Sequence, residues 1–494
     1  MMNDTIKIGW AQTDITPSGP CMLAGQMNNR LATEVLDPLT STVLALESGS
    51  EKVIIISAEL GGIRMPLMTA IRQKITAATG IPGENITASA THTHTAPQYG
   101  TVIPMAERHQ KQPVPCAGNR GIDVEEMRRK YPDFADSESY FQLLTQKISA
   151  AAIEAWNGRK PGKIAFGCGT AVVGENRRLT MKDRGGVMYA LENDPDMLNA
   201  EGHVDHTVNV FATYTLEGKL TGIIVNVACP SQVSEAMSVV SADYWHEVRE
   251  EIAARWGREI FLLPQCSAAG DISPHQLLGR RADERMMLLR KQQSTPNSDW
   301  SWRGRVYNLE YGIARRREIA RRIAQALEDV LPAIAETAES SPVVKKGFRV
   351  VELPPRLITK EEADTAKVKA EELLAGIGEG FSGLIPWHLG VVERFKNPPV
   401  SIPMEIHTLR IGDMVFATNS FELYLDYGDR IKGRSKAVQT FLVQLSAGRG
   451  TYLPSGRSGG TGYGSVPASS IVTVEGGNML VEETVKAINE LFDR

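Results

Sequence analysis

Lys52-Val-Ile-Ile-Ile-Ser57 sets β-branched residues side by side, so a strand here must be covered on both faces. A helix-like stretch follows from about Pro66 to Ala78 and is closed by Gly80 and Pro82. The same alternation continues along the chain. Residues 137–157 are amphipathic, with Tyr140, Leu144, Ile148, Ala151 and Ala155 at helical spacing and Asn157-Gly158 as the stop. Further strands are expected at 163–173, 220–229, 260–263, 414–418 and 439–445, and 84–94 reads as a strand running into a loop. Further helices are expected at about 242–256, 308–330, 360–375, 421–433 and 478–492. This pattern predicts an α/β (α+β) fold of mixed β-sheets covered by helices. Residues 280–305 and 376–400 carry Pro, Gly and Trp and read as long loops near a cleft.

At 494 residues the chain exceeds one simple core and calls for two or three subdomains. A formal net charge of -4 gives no sign of a nucleic-acid binder. The basic run at 315–317 sits among helix formers and reads as a solvated helix face. The cysteines, Cys21, Cys116, Cys168, Cys229 and Cys266, are odd in number with no C-x-x-C spacing, which fits a reducing, cytoplasmic compartment. The N-terminus shows no charged region followed by an apolar one, and no apolar run suffices for a membrane anchor. The glycine-dense segment 455–464 suits a mobile or tightly turning loop but matches no P-loop, and no G-x-G-x-x-G follows a strand.

Chemistry-bearing residues fall in a few places. His92 and His94 are two apart at an expected strand end, where extended backbone would put both imidazoles on one face. Such a pair can share a metal or divide ligation and proton transfer, and Thr91, Thr93 and Thr95 would supply supporting hydroxyls. Gly270-Asp-Ile-Ser-Pro274 follows an apolar run and could present backbone N–H groups to a carbonyl or anion; a plain capped turn is the competing reading. Ser241 or Asp243 could cap a helix, or Asp243 and His246 could face a cleft. Glu422 opens an expected helix, where the dipole favours a carboxylate. Tyr452 and Tyr463 bracket the glycine-dense loop.

Taken in order, these segments resemble the catalytic N-terminal domain of the neutral/alkaline ceramidase superfamily. The resemblance rests on Gln12-Thr-Asp14-Ile-Thr-Pro17, Ser89-Ala-Thr-His92-Thr-His94-Thr-Ala-Pro97, Gly270-Asp-Ile-Ser-Pro274, Phe421-Glu422 through Gly428, and the stretch from Leu445-Ser446 to Tyr452 and Tyr463. It implies one catalytic domain over 1–494, with 1–335 as the main part and 336–494 completing the site. It implies an amidase-like hydrolase of linear amides with one zinc ion. His92, Glu422 and Tyr452 fall on metal-ligand positions. His94 and Tyr463 fall on positions that move a proton or polarise a carbonyl. Arg177 falls on an arginine bordering the site, and Ser273 on a serine assigned as a nucleophile. Gly270 and Asp271 would bind substrate.

Three departures stand out. The family's second zinc histidine is replaced by Pro230, so Cys229, Asp243 or His246 would have to supply a fourth ligand. The sequence also reads as lacking the family's C-terminal β-sandwich and its secretion signal. Together these suggest a cytoplasmic enzyme for a small soluble molecule, with no membrane anchor and with room for homo-oligomers. Two alternatives remain at this point: a metal-independent serine hydrolase using Ser273 and His94, and a non-catalytic ligand-binding relative.

Overall fold

The computed structural model describes residues 4–100, 123–189, 194–289, 309–376, 383–448 and 450–493. The larger sheet has eight strands: β1 Lys7–Asp14, β2 Thr40–Ser48, β3 Glu51–Ala58, β4 Ile86–Ala90, β5 Lys160–Thr170, β6 Thr207–Thr215, β7 Leu220–Val227 and β8 Phe261–Cys266. Their spatial order is β8-β7-β6-β5-β1-β2-β3-β4. The outermost pairs, β7 with β8 and β3 with β4, are parallel, and the inner pairs are antiparallel. A second sheet, ordered β9-β10-β11-β12, comprises β9 Val344–Leu353, β10 Ile402–Ile411, β11 Met414–Thr418 and β12 Gln439–Val443. Here too only the last pair is parallel.

The two sheets pack face to face. Leu44 and Leu46 of β2 and Val53 and Ile55 of β3 share a core with Met414, Phe416, Phe441 and Val443. The alternate residues Val43, Ala45, Ile54 and Ile56 point the other way, onto α1 (Met65–Thr79) and α2 (Ser137–Asn157). Beside them, β6 and β7 are covered by α3 (Tyr244–Trp256) and α4 (Leu309–Ala335). The outer face of the second sheet packs on α7 (Leu425–Arg434) and α8 (Val474–Asp493). The result is four layers: helix, sheet, sheet, helix. Each fully buried Val, Leu or Ile contributes about 1.5–3 kcal/mol by leaving water. Double coverage therefore explains why β3 carries isoleucines on both faces.

Residues 137–157 are helical as expected, and β11 spans the expected 414–418. Within 376–400, Leu384–Lys396 is not a loop but helix α6, which packs with α5 (Lys360–Gly376) around Ala363, Ala366 and Val391, and 377–382 lies outside the described residues. Within 280–305, Arg280–Leu289 is helical and 290–305 lies outside the described residues, as does Cys116. The expected helix at 421–433 begins only at Leu425, because Glu422–Leu423 is a short strand pairing with Tyr452–Leu453.

The basic run at 315–317 requires a correction. Arg315 and Arg316 are 0% and 1% exposed, and only Arg317 faces solvent. Arg316 pairs with Asp37 at 2.7 Å and Glu247 at 2.8 Å, while Arg315 pairs with Asp283 at 3.0 Å and donates to Pro274 O at 3.2 Å. Three carboxylates on other elements compensate the buried charge. Among the described residues no helix is long and apolar enough to cross a membrane.

Arg72 of α1 bridges to the second sheet through Glu405, at 2.9 Å. Burial raises the pKa of Glu405, but hydrogen bonds from His407 and Arg72 outweigh it and hold the carboxyl down to about 2, from an ordinary 4.5. The folded-state pKa is depressed, so this stabilisation is present above about pH 4.5 and is lost as pH falls toward 2. Urea unfolding of Glu405→Gln is expected to show a stability deficit at pH 6 that narrows at pH 3.

Candidate active site

The C-terminal ends of strands from both sheets open onto one region, where loops escape core packing. β4 leads to His92 and His94, and β8 leads to Gly270-Asp-Ile-Ser-Pro274. β11 leads to Glu422, and β12 leads to Tyr452.

His92 has a left-handed φ of 65°. The chain therefore turns at this residue, and the expected extended arrangement with both rings on one face does not form. Instead the two imidazoles meet edge to face, with centroids 4.9 Å apart and planes at 79°, and look toward different partners. The three threonines do not bond the rings. Thr93 and Thr95 donate to Ser241 O at 3.0 and 2.9 Å, and Thr91 O accepts from Ser231, which fixes the loop instead.

Nδ1 of His92 lies 2.5 Å from Gly61 O. A carbonyl only accepts, so Nδ1 carries a proton. The buried Nε2 lies 3.2 Å from Oε2 of Glu422. A carboxylate this close to the ring nitrogen calls for positive charge there, either a proton on Nε2 or a metal ion held by both groups. Burial lowers the pKa of His92, yet the Glu422 carboxylate outweighs it and the net shift is upward. Burial likewise raises Glu422, but His92 and then Arg177 bring it below its ordinary value.

Strand register places Tyr452 opposite Glu422, and their side chains hydrogen-bond. Burial, and then Glu422, push the Tyr452 phenol well up. Buried Arg177 donates to Tyr452 Oη at 3.1 Å, Gly270 O at 2.9 Å and Tyr189 Oη at 2.8 Å. Tyr463 meets Tyr452 edge-on at 5.4 Å, and Trp387 of α6 stacks on it at 5.8 Å. The glycine-dense loop turns tightly there, with left-handed φ at Gly459, Gly460, Gly462 and Gly464. Buried Arg178 holds it through the carbonyls of Thr461 and Tyr463.

Gly270 and Asp271 brace the site. A Cβ on Gly270 would lie 2.3 Å from Glu422 O. Asp271 Oδ1 accepts from Leu425 N and Oδ2 from Asn176, so the carboxylate caps α7 and fixes the turn after Glu422. Gly270→Ala is thus expected to push Glu422 away from His92. Overpacking of this kind costs about 1–3 kcal/mol. Turnover is expected to fall more steeply than melting temperature, measured on the same sample. Ser273 is fully buried; its Oγ accepts from His275 N at 3.2 Å and hydrogen-bonds with Tyr189.

His94 turns toward the loop that carries Pro230. Its Nδ1 lies 3.2 Å from Oε2 of Glu235, and its Nε2 lies 2.9 Å from Nε2 of Gln232. Gly25, with φ of 94°, leaves the ring its space: a Cβ there would lie 2.3 Å from Cγ of His94. Burial, then the charges of His92 and Arg30, hold His94 well below its ordinary pKa.

The three candidate replacement ligands sit elsewhere. Both carboxylate oxygens of Asp243 accept backbone N–H groups, Oδ1 from Val233 and Tyr244 and Oδ2 from Ser234, so it caps α3 and shapes the 230–235 loop. Cys229 is packed in the core with Val227, Tyr244 and Trp245, and burial pushes its thiol well up. His246, on α3, is half-buried, with its pKa lowered first by burial; Asp37, Arg249 and Arg316 are the charges around it.

Sequence reasoning gave no role to Gln232, Glu235, Tyr189 or His275. Glu235 had one available signal, a carboxylate five positions after the lost histidine. Tyr189 had none. Among the described residues no three of His, Cys, Asp and Glu converge as a metal site. His92 and Glu422 with the Tyr452 phenol nevertheless fit a zinc ion chemically. They offer one nitrogen and two oxygens, and a backbone carbonyl orients the imidazole as it does in metal-binding histidines.

This four-layer arrangement is similar in fold to ceramidase structures. The crystal structure of neutral ceramidase from Pseudomonas aeruginosa matches it with a TM-score of 0.68 at 15% sequence identity, over 99% of this chain and 75% of that one. A ceramidase structure described as complexed with C2 matches with a TM-score of 0.65, also at 15% identity, over 99% and 76%. No family model and no curated protein matches the sequence.

Proposed function

We propose that this chain is a ceramidase-like, zinc-dependent hydrolase that cleaves an amide or ester bond in a small polar molecule. The observation carrying this reading is the buried convergence of His92 Nε2, 3.2 Å from the Glu422 carboxylate, with the Tyr452 phenol that pairs with Glu422. His92, Glu422 and Tyr452 would hold the ion. Zinc in such a site supplies Lewis acidity and lowers the pKa of a bound water from about 16 toward 7.

The chain's own groups divide the remaining work. Gly61 O orients His92. Arg177, fixed by Tyr189, Tyr452 and Gly270 O, sets a permanent positive charge beside the place where an oxyanion would form. His94, neutral at physiological pH, is suited to pass a proton to the leaving group. Tyr463, held near Tyr452, would donate to the substrate carbonyl. Glu235, Gln232 and Arg177 make this region polar, which favours a polar substrate over a long acyl chain.

The serine route has less support. Ser273 is fully buried and engages Tyr189 and the N–H of His275. The deciding experiment measures metal content and hydrolysis of acyl-amide and acyl-ester libraries before and after chelation. Loss of activity on chelation, with recovery on added zinc, is expected. Full activity in metal-free protein would overturn the reading.

A further inference from the structure

The loop that carries Pro230 also carries a buried carboxylate, Glu235. Asp243 folds residues 233 and 234 back through their N–H groups, and this turn delivers Glu235 toward His94. Gln26 donates to Oε2 of Glu235 at 3.1 Å, and His275 Nε2 lies 3.7 Å from Oε1. An oxygen already accepting an amide N–H acts as an acceptor; burial raises the pKa of Glu235, against which His275, Arg177 and Arg30 favour the ionised form. Facing that oxygen at 3.2 Å, Nδ1 of His94 must carry the ring's proton, because an unprotonated nitrogen would set a lone pair against a carboxylate. At the ring's other end, Gln232 Nε2 approaches Nε2 of His94 at 2.9 Å, an amide N–H donor facing the remaining lone pair. Both neighbours select the same tautomer.

We infer that Glu235 is a positioning residue: with Gln232 it locks His94 in the Nδ1–H tautomer and leaves Nε2 as the nitrogen able to accept a proton from the reacting groups. The logic is that of a carboxylate orienting a catalytic imidazole. The inference rests on the hydrolase reading for what His94 does, but not for the tautomer itself.

The test is imidazole nitrogen NMR on the full chain labelled with 15N-histidine, with the His94 signals assigned by His94→Gln. Wild-type protein is expected to show His94 protonated at Nδ1. Glu235→Gln, which is nearly isosteric and can present an N–H instead of an acceptor, is expected to move the proton to Nε2 or mix the two forms. In parallel kcat is expected to fall by roughly 10²–10⁴-fold, the range for losing a correctly poised acid–base group, with KM changing little. Glu235→Asp keeps the charge and is expected to recover part of kcat. An Nε2–H His94 in the wild type, or a tautomer indifferent to Glu235→Gln, overturns the inference. A protein with the expected tautomer shift but no hydrolytic activity on any acyl substrate overturns the hydrolase reading, and with it the catalytic part of this one, while the Glu235–His94 pairing stands.

Discussion

His92→Asn is expected to remove both bound zinc and turnover while leaving the protein folded. Asparagine is chosen because position 92 holds a left-handed φ of 65°, a conformation that asparagine and histidine tolerate better than most residues. The substitution removes the imidazole nitrogen facing Glu422 and the bond from Nδ1 to Gly61 O. Losing that bond costs about 1 kcal/mol, too little to unfold a domain of this size. Metal-assisted charge stabilisation is worth several kcal/mol. At about 1.4 kcal/mol per tenfold change, turnover should fall by roughly 10³-fold or more. Elemental analysis, circular dichroism and a turnover assay on one preparation decide the matter. A folded variant that loses zinc yet keeps its rate would show that His92 and the metal lie outside the chemistry.

Much of the layer structure was legible because its signal is local. The helix at 137–157 shows its apolar stripe in five residues, and β3 announces double burial through consecutive β-branched positions. Strands such as β2, Thr-Ser-Thr-Val-Leu-Ala-Leu-Glu-Ser, were not anticipated. Seven of its nine residues are buried, so it has no polar face and no period-two pattern. The hydroxyls in it also look like loop. Helix α6 was misread for a related reason: Pro386 and Gly390 suggest a loop, but packing against α5 outweighs their helix cost.

At the site, the motifs located His92, Gly270 and Glu422, but nothing in the pattern could pair Arg177 with Tyr452, 275 positions away. Nor could it show that His94 turns from its neighbour toward Glu235. That depends on one backbone torsion at His92 and on how Asp243 folds a distant loop. In the sequence, Pro230 stood where the resemblance implied an imidazole, with Cys229, Asp243 or His246 as the candidate replacements. In three dimensions the same loop brings a carboxylate and an amide to the second histidine.

Arg177→Met should lower both stability and rate, by amounts that distinguish a structural from an electrostatic role. The guanidinium is buried and serves three oxygens on three segments, Tyr189 Oη, Gly270 O and Tyr452 Oη. Methionine fills similar volume but donates nothing, so the buried Gly270 carbonyl and two phenols lose a donor. Breaking a buried charge network in this way typically costs about 3–5 kcal/mol. Arg177 also helps keep Glu422 ionised against burial, so its loss weakens the very carboxylate that faces His92. Removing one fixed donor from an oxyanion site costs about 10²–10³-fold in kcat. Arg177→Lys separates the two contributions. It restores the charge but cannot reach three acceptors in a fork. Lysine should therefore recover more of kcat than of melting temperature if the charge is what matters to the reaction. Equal recovery of both would reduce Arg177 to a brace for the Gly270 turn.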